Sequence, residues 1–108
     1  MLADLSQADV LVMRPEENGF RVTSHVRPMN SRTIYPVDQI NEVIPTGQRP
    51  LAQHALVTGE MVDGGLYLVD KGRWIRTLAV PVCFEDQVVA VLAREFQPHI
   101  EILSLIHI

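Results

Sequence analysis

The strongest alternation of apolar and polar positions lies at Arg73–Glu95, which reads RWIRTLAVPVCFEDQVVAVLARE. Its first half has the period of two that is typical of a β-strand. One face carries Trp74, Leu78, Val80 and Val82, interrupted by Arg76; the other carries Ile75, Thr77, Ala79, Pro81 and Cys83. Its second half, Val88–Ala93, is apolar on both faces, as in a strand at the middle of a sheet. With the turn Phe84–Gln87 between them, the two halves predict a central β-hairpin.

An earlier pair of segments predicts a second hairpin. Ala8–Arg14 is apolar on both faces, and Phe20–Val26 alternates apolar with polar residues. Between them, Pro15–Gly19 has turn chemistry, and its Asn-Gly pair is expected to supply the positive φ angles of a tight turn. The alternation places three apolar residues on the buried face and three polar ones in solvent. The buried set is Phe20, Val22 and Val26, and the solvated set is Arg21, Thr23 and His25.

The middle of the chain predicts one helix among short irregular pieces. Pro50–Thr58 has a proline suited to the first turn, and Gly59 stands where a helix ends. Its apolar stripe consists of Leu51, Ala52, Ala55 and Leu56. Before this helix, Arg27–Arg32 is predicted to be a loop and Thr33–Tyr35 a short strand. The spacing in Val37–Ile44 is helical, but the run is too brief to decide its structure.

After the helix, the pattern predicts short strands divided by glycine turns. Glu60–Asp63 is a strand candidate, Gly64-Gly65 a turn, and Leu66–Val69 a short apolar run. Asp70–Gly72 then forms a turn into the central hairpin. Strands at both ends with one helix between them indicate an α+β domain built on an antiparallel sheet.

Composition narrows the class of protein. The 108 residues fit one domain, and the net charge of −4 comes without a basic stripe, which disfavours nucleic-acid binding. No apolar segment approaches the roughly 20 residues that cross a membrane. The single cysteine excludes an intramolecular disulfide and suits a reducing compartment, so we expect a cytoplasmic protein.

The two ends of the chain carry separate expectations. Leu2–Gln7 has the pattern of the last turns of a helix. Leu103–Ile108 reads LSLIHI, continues no strand or helix pattern, and matches the translation of a transposase adapter used in sequencing. We therefore expect residues 1–102 to be the native domain, without its terminal helices, and residues 103–108 to be non-native. A natural apolar turn at the end of the chain is the alternative.

Four stretches, in order, resemble the N-terminal sensor domain of a family of cytosolic actinobacterial histidine kinases. They are LADLSQADVLV at Leu2–Val12, VRPMNSRTIYP at Val26–Pro36, GQRP at Gly47–Pro50 and RTLAVPVCFEDQVVAVLARE at Arg76–Glu95. The resemblance implies a GAF-like domain of the PAS/GAF superfold, with a central antiparallel sheet flanked by helices. Gly64–Gly72 is more apolar and richer in glycine than the family pattern.

The resemblance also implies a two-component system. The parent protein would be a homodimeric sensor histidine kinase that uses ATP, phosphorylates its own histidine and passes the phosphoryl group to a response regulator. This chain has neither a phosphoacceptor helix nor the motifs of an ATP lid, so we expect it to be non-catalytic and to need no cofactor itself. The leading hypothesis is a regulatory domain that binds a small molecule or relays strain. A ligand-free dimerisation module is the alternative, and a stand-alone enzyme is disfavoured.

Few residues are candidates for direct chemistry. Trp74 and Arg76 are candidates for ligand binding, since aromatic and guanidinium groups near a sheet edge suit an anionic or planar molecule; the alternative is that Trp74 packs on the sheet with the arginine in solvent. Tyr35 and His54 join the candidates on the condition that the middle segment folds over the sheet, as in GAF-like domains. His25, His54 and His99 match no metal-ligand spacing, so no metal site is predicted and they are expected to be solvated or hydrogen-bonded structural histidines. Cys83 is expected to be an inert, partly buried thiol. The acidic pairs Glu16-Glu17 and Glu85-Asp86 are expected at solvated hairpin tips.

Overall fold

Six antiparallel strands form one sheet in the computed structural model, which describes residues 8–28, 33–68 and 72–97. The strands are β1 (Asp9–Glu16), β2 (Gly19–Val26), β3 (Val43–Pro45), β4 (Val62–Leu68), β5 (Arg73–Phe84) and β6 (Gln87–Phe96). The helix α1 (Pro50–Thr58) follows a short 3-10 turn at Thr46–Gln48. Across the sheet the order is β3-β2-β1-β6-β5-β4, so the first and last strands lie side by side at its centre.

The central hairpin is confirmed. β5 and β6 pair from Arg76 and Phe96 down to Phe84 and Gln87. The two turn residues, Glu85 and Asp86, have φ angles of 51° and 66°. Two consecutive positive φ angles match the twist of a tight antiparallel hairpin. Since β6 lies between β1 and β5, its predicted position in the middle of the sheet is also confirmed.

The β1–β2 hairpin is confirmed, but the prediction that Asn18 and Gly19 have positive φ angles is wrong. The turn falls at Glu17-Asn18, and neither Asn18 nor Gly19 has a positive φ. Gly19 instead begins β2 opposite Pro45 of β3. A Cβ atom at this position would lie 2.2 Å from the carbonyl oxygen of Ile44, so only glycine lets the two strands approach this closely.

A β-bulge interrupts the pairing of β1 with β2. Val12 pairs with Ser24, whereas the next residue, Met13, pairs with Val22. Thr23 is thus the extra residue on β2, and its hydroxyl donates to the Val12 carbonyl at 3.1 Å. An extra residue reverses which side chains point to each face of a strand.

The reversal overturns part of the predicted alternation. Phe20 and Val22 are buried as expected, but His25 joins them on the buried face with 8% exposure. Val26 lies on the opposite face and is 61% exposed. The predictions of a solvated His25 and a buried Val26 were therefore wrong, because a strict period of two does not continue past a bulge.

The predicted helix is confirmed at both ends. Pro50 stands at its first turn, and Gly59 ends it in the left-handed conformation at φ 71°. Ala52 and Ala55 are fully buried against the sheet. Leu51 and Leu56 pack against the same core and are partly buried. The helix lies on strands β4, β5 and β6.

The predicted turn at Gly64-Gly65 is wrong, because β4 runs through both glycines. Gly64 pairs with Thr77 of β5 and faces the helix. A Cβ atom there would lie 3.2 Å from Cδ1 of Leu51. The absence of a side chain therefore gives α1 room to pack on the sheet.

One other prediction for the middle of the chain needs correction. Thr33–Tyr35 is not a strand: it is an irregular stretch in which Ile34 and Tyr35 are buried. For Val37–Ile44, which the sequence left undecided, the structure shows a turn at residues 40–41 that leads into β3. Asn41 adopts a φ of 72° in this turn. The predictions for Leu2–Gln7, Leu103–Ile108 and His99 lie outside the described residues, as do most of the predicted loop Arg27–Arg32 and of the predicted turn Asp70–Gly72.

One face of the sheet carries the core. Residues 33–49, here called the covering segment, cross the part of this face formed by β2, β1 and β6, except where β3 joins the edge of the sheet beside β2. The helix α1 covers β4, β5 and β6. The core residues buried between these layers include Leu11, Met13, Phe20, Val22, Ile34, Tyr35, Ile75, Ala79, Val91 and Ala93. Each large apolar side chain contributes about 1.5–3 kcal/mol by leaving water. On the opposite face, Trp74 is 64% exposed.

Candidate functional site: a buried polar network

Polar side chains are buried beneath the covering segment, in the same layer as the apolar core. Asp9, Arg49 and Glu95 are each no more than 3% exposed, and His25 is 8% exposed. Burying a charged group costs several kcal/mol unless hydrogen bonds and opposite charges replace the lost water. The partners of these groups therefore decide what this part of the molecule does.

Strand register brings the acidic members together. Asp9, the first residue of β1, is the cross-strand partner of Glu95 on β6. Glu95 is in turn the partner of Thr77 on β5. Directly paired residues point to the same face of a sheet. The three side chains thus form a row across the sheet, directly under the covering segment.

Arg49, Glu95 and Tyr35 form the first part of the network. The Nε of Arg49 donates to Oε2 of Glu95 at 2.8 Å, and a second guanidinium nitrogen donates to the Tyr35 hydroxyl oxygen at 2.8 Å. The Tyr35 hydroxyl itself donates to the other oxygen, Oε1, of Glu95. Three side chains from the covering segment and β6 therefore close a ring of charge-assisted hydrogen bonds.

Protonation states within this ring follow from its surroundings. Burial raises the pKa of the Tyr35 hydroxyl, and the neighbouring Glu95 carboxylate raises it further, so Tyr35 remains neutral. For Arg49, burial opposes the charged form, but the Glu95 carboxylate and the Tyr35 hydroxyl outweigh it, and the pKa is raised. The ring is thus a buried ion pair bridged by a neutral phenol.

Asp9 organises the second part of the network. Its Oδ1 atom accepts hydrogen bonds from the Thr33 hydroxyl and from Nε2 of His25, both at 2.7 Å. Its Oδ2 atom accepts the backbone N–H of Ile34 at 2.8 Å. Three donors surround one carboxylate, and two of them belong to the covering segment. Asp9 therefore fixes the start of that segment to the first strand.

The hydrogen bonds of His25 define its tautomer. The backbone N–H of Gln39 donates to Nδ1 at 3.0 Å, so Nδ1 carries no proton. The proton is then on Nε2, which donates to Asp9. The ring also packs edge-on against Tyr35, with centroids 5.2 Å apart. A neutral His25 thus connects β2 to two points on the covering segment.

One buried hydroxyl stands apart from this satisfied set. Thr77 is 1% exposed, and its Oγ1 atom has no hydrogen-bond partner among the described residues. Apart from that atom, the buried polar side chains in the described part of the chain are hydrogen-bonded within the protein. The layer beneath the covering segment is therefore closed by contacts of the chain with itself.

The four predicted ligand-binding residues do not come together. Tyr35 belongs to the buried network, whereas His54 is exposed on α1. Trp74 is exposed on the opposite face of the sheet, and Arg76 is exposed and paired with Asp63 at 3.1 Å. The structure thus places them at separate positions, and a ligand-binding role for any of them stays a prediction.

Other candidate chemistry is placed at the surface. Cys83, expected to be partly buried, is exposed. A bulge between Val82 and Cys83 lies near the turn of the hairpin. The acidic pairs at residues 16–17 and 85–86 are exposed at the hairpin tips, as predicted. Within the described ranges, no group of three His, Cys, Asp or Glu side chains is arranged to hold a metal ion.

Three residues of the network, Asp9, Arg49 and Glu95, were not recognised in the sequence. A signal existed for two of them. Asp9 interrupts the apolar run ADVLVM, and Glu95 follows Val91 and Ala93 at the spacing of a buried face. Arg49 gives no periodic signal, because it stands in a loop immediately before the proline that begins the helix, although it belongs to the GQRP stretch of the family resemblance.

The raised pKa of Tyr35 predicts a loss of stability at alkaline pH. The stabilisation that comes from the raised pKa of Tyr35 is fully present below about pH 10, the ordinary pKa of tyrosine. Above it, the unfolded chain loses the proton while the folded chain holds it, so we expect Tyr35 alone to lower the free energy of unfolding by about 1.4 kcal/mol per pH unit. Urea denaturation at about pH 9 and about pH 11 would measure the change for the native chain and for Tyr35→Phe. Equal alkaline losses in both proteins would contradict the prediction.

Comparison with known proteins defines the class. A solved structure described as the sensor region of a sensor histidine kinase is similar to this chain, with 30% sequence identity and a TM-score of 0.56. The similarity covers 94% of this chain and 33% of that one, so the chain spans about a third of its length. Among curated proteins, none matches.

The family follows from a second comparison. Residues 1–102 match the model of the GAF domain of histidine kinase PdtaS. The chain therefore belongs to this family, and the resemblance to histidine-kinase sensor domains is confirmed. The six-stranded antiparallel sheet agrees with that assignment. A search of the described residues for a helix that is long and apolar enough to span a membrane found none.

Proposed function

We propose that this domain regulates a histidine kinase by transmitting the position of the covering segment to the ends of the sheet. The observation that carries the proposal is the buried network. It fixes residues 33–49 to Asp9, where the chain enters β1, and to Glu95, near the end of β6. Among the described strands these are the first and the last, so they adjoin the chain segments on either side of the sheet.

Charge makes this connection stiff. The ring of Arg49, Glu95 and Tyr35 has short hydrogen bonds in a buried site, where they are stronger than in water. A signal that displaces Arg49 or Tyr35 must either break the ring or move Glu95 with it. The covering segment and β6 thus respond together, which is the requirement for a relay.

The size of the effect is limited by thermodynamics. A ligand shifts a kinase between two states only through its different affinity for them, and coupling free energies are commonly about 1–3 kcal/mol. The closed polar layer supports relay of strain from the covering segment over a ligand held beneath it. A small molecule would then act at the outer side of the segment.

The remaining parts of the proposal concern the parent protein. It would be a cytoplasmic, homodimeric sensor kinase that uses ATP and passes a phosphoryl group to a response regulator. Membership of the family supports this context. In this scheme the domain has no catalytic step of its own, and helices flanking the sheet would connect it to the kinase core.

A ligand-free dimerisation module remains the second candidate. The opposite face of the sheet favours it, since Trp74 and Val26 are exposed there to 64% and 61%. Clustered apolar side chains in solvent are typical of surfaces that associate, and Leu78, Val80 and Leu92 on the same face are only partly buried. In that case the network would stabilise the fold without responding to a signal.

Autophosphorylation of the kinase that contains this domain distinguishes the two candidates. Tyr35→Phe removes the hydroxyl that bridges Arg49 and Glu95 but retains the aromatic side chain. We expect the rate of autophosphorylation to change by about fivefold or more, the lower end of ordinary coupling. Asp63→Asn, at an exposed ion pair, is the matched control and is expected to leave the rate unchanged. An unchanged rate in a folded Tyr35→Phe kinase would favour the dimerisation module.

A further inference from the structure

We propose that His25 is a proton-operated latch for the turn at residues 38–41. The latch is closed when the ring is neutral and opens when Nδ1 takes a proton from solvent. This inference deepens the proposed function by naming a signal to which the covering segment responds, and it rests on that function only for the step from the turn to the kinase.

In the closed state the turn is bound through the ring itself. Nδ1 of His25 accepts the backbone N–H of Gln39 at 3.0 Å, while Nε2 donates to Asp9 at 2.7 Å. The imidazole side chain is fully buried. Both nitrogens are used, so a second proton has no place without a change in the turn.

Protonation would reverse the polarity of one contact. With a proton on Nδ1, two N–H groups face each other, and the bond from Gln39 is lost. A carboxylate that could accept the new proton is that of Asp38, whose Oδ1 lies 3.8 Å from Nδ1 on a side chain that is 53% exposed. That oxygen now accepts the N–H of Ile40 at 2.8 Å. Moving Asp38 toward the ring therefore withdraws the Gln39 amide and strains the Ile40 contact.

The charged groups around the ring suit an imidazolium. Asp9 faces it from β1 and Asp38 faces it from the covering segment, so a carboxylate lies near each nitrogen. Tyr35 makes a T-shaped contact with the ring, and its neutral hydroxyl is turned toward Glu95 and Arg49. Arg27 donates to the backbone carbonyl of Tyr35, which adds one cation on the side of the loop.

The turn has a fixed end that would confine the motion. The N–H of Asn41 donates to the Val22 carbonyl at 2.7 Å, and the Asn41 carbonyl accepts from Arg21 at 2.8 Å. These bonds to β2 do not involve His25. Opening would therefore move residues 38–40 about Asn41, which already has a positive φ.

The test is nuclear magnetic resonance of the full chain between about pH 8 and about pH 5, where an imidazole gains its proton. The ring nitrogens of His25 report the tautomer, and the Gln39 amide reports the turn. On protonation of Nδ1 we expect the Gln39 amide to exchange about tenfold faster than the intrinsic rate of exchange at that pH predicts. This factor corresponds to the loss of one hydrogen bond. Exposed His54 gives the reference signal of a solvated imidazole.

Asp38→Asn provides a variant that leaves the buried network intact. It keeps the oxygen that accepts from Ile40 but removes the charge. We expect the midpoint of amide release to move to lower pH by about half a unit, as for a partly exposed carboxylate. An Nδ1 that stays unprotonated while the sheet amides remain protected would overturn the proposal. So would protonation without release of Gln39, or an unchanged midpoint in Asp38→Asn. If the turn opens but kinase activity does not change, the latch stands and the proposed function fails.

Discussion

Replacing Arg49 by methionine is expected to lower the free energy of unfolding by about 3–5 kcal/mol, the cost of removing one partner of a buried ion pair. The Glu95 carboxylate is fully buried and would lose its guanidinium partner at Oε2. Methionine retains most of the apolar stem of arginine, so the loss reports the charge more than the packing. Urea denaturation at neutral pH measures the effect.

A double-mutant cycle isolates the pair. Glu95→Gln alone leaves Arg49 as an uncompensated buried cation and is expected to cost a similar amount. Arg49→Met combined with Glu95→Gln leaves no unpaired charge, so its cost should fall short of the sum by about 1–3 kcal/mol. The matched surface cycle uses Arg76→Gln and Asp63→Asn, for which coupling should stay below about 1 kcal/mol. An Arg49→Met chain within about 1 kcal/mol of the native one would contradict the expectation.

The cycle also addresses why the ion pair is buried at all. Apolar residues of similar volume often stabilise a core as well as a buried ion pair does. The pair offers directionality instead, because Arg49 bonds Glu95 and Tyr35 in one arrangement only. A relay needs such an arrangement, since an apolar contact between the covering segment and β6 would slide.

How far the sequence predicts this fold depends on local regularity. The central hairpin and α1 were predicted correctly because their patterns are long and their ends carry Asp86 and Gly59, which suit a turn and a helix end. The second hairpin was predicted with the wrong faces. A single extra residue, Thr23, shifts the register of β2, and no local signal marks it.

The network was harder to predict, because its members meet only through tertiary structure. Asp9 and Glu95 are far apart in the chain and become neighbours through the pairing of β1 with β6. Arg49 reaches Glu95 from a loop that must first fold over the sheet. His25 was assigned to the solvated face because the extra residue Thr23 in β2 was not recognised. Predicting this buried site requires the strand order and the position of the bulge. The alternation of apolar and polar residues indicates neither.

Asp9→Ala is expected to lower the free energy of unfolding by about 2–5 kcal/mol, because it leaves several buried donors without an acceptor. These donors are the Ile34 amide, the Thr33 hydroxyl and Nε2 of His25. Asp9→Asn should be intermediate, since its single carbonyl oxygen can still accept at one of the two positions. Urea denaturation ranks the native chain, Asp9→Asn and Asp9→Ala by their free energy of unfolding. Asp63→Ala, which removes an exposed partner of Arg76, is the control and should cost less than about 1 kcal/mol.

The positions at which amides lose protection from exchange show whether Asp9 acts as an anchor for the covering segment. If it does, amide exchange in Asp9→Ala should rise first at residues 33–39, whereas β5 and β6 keep the protection of the global fold. A uniform rise across all strands would mean that Asp9 only stabilises the domain. Because Asp9 begins β1, local release there would loosen the entry to the sheet together with the covering segment, the coupled motion that a regulatory domain requires.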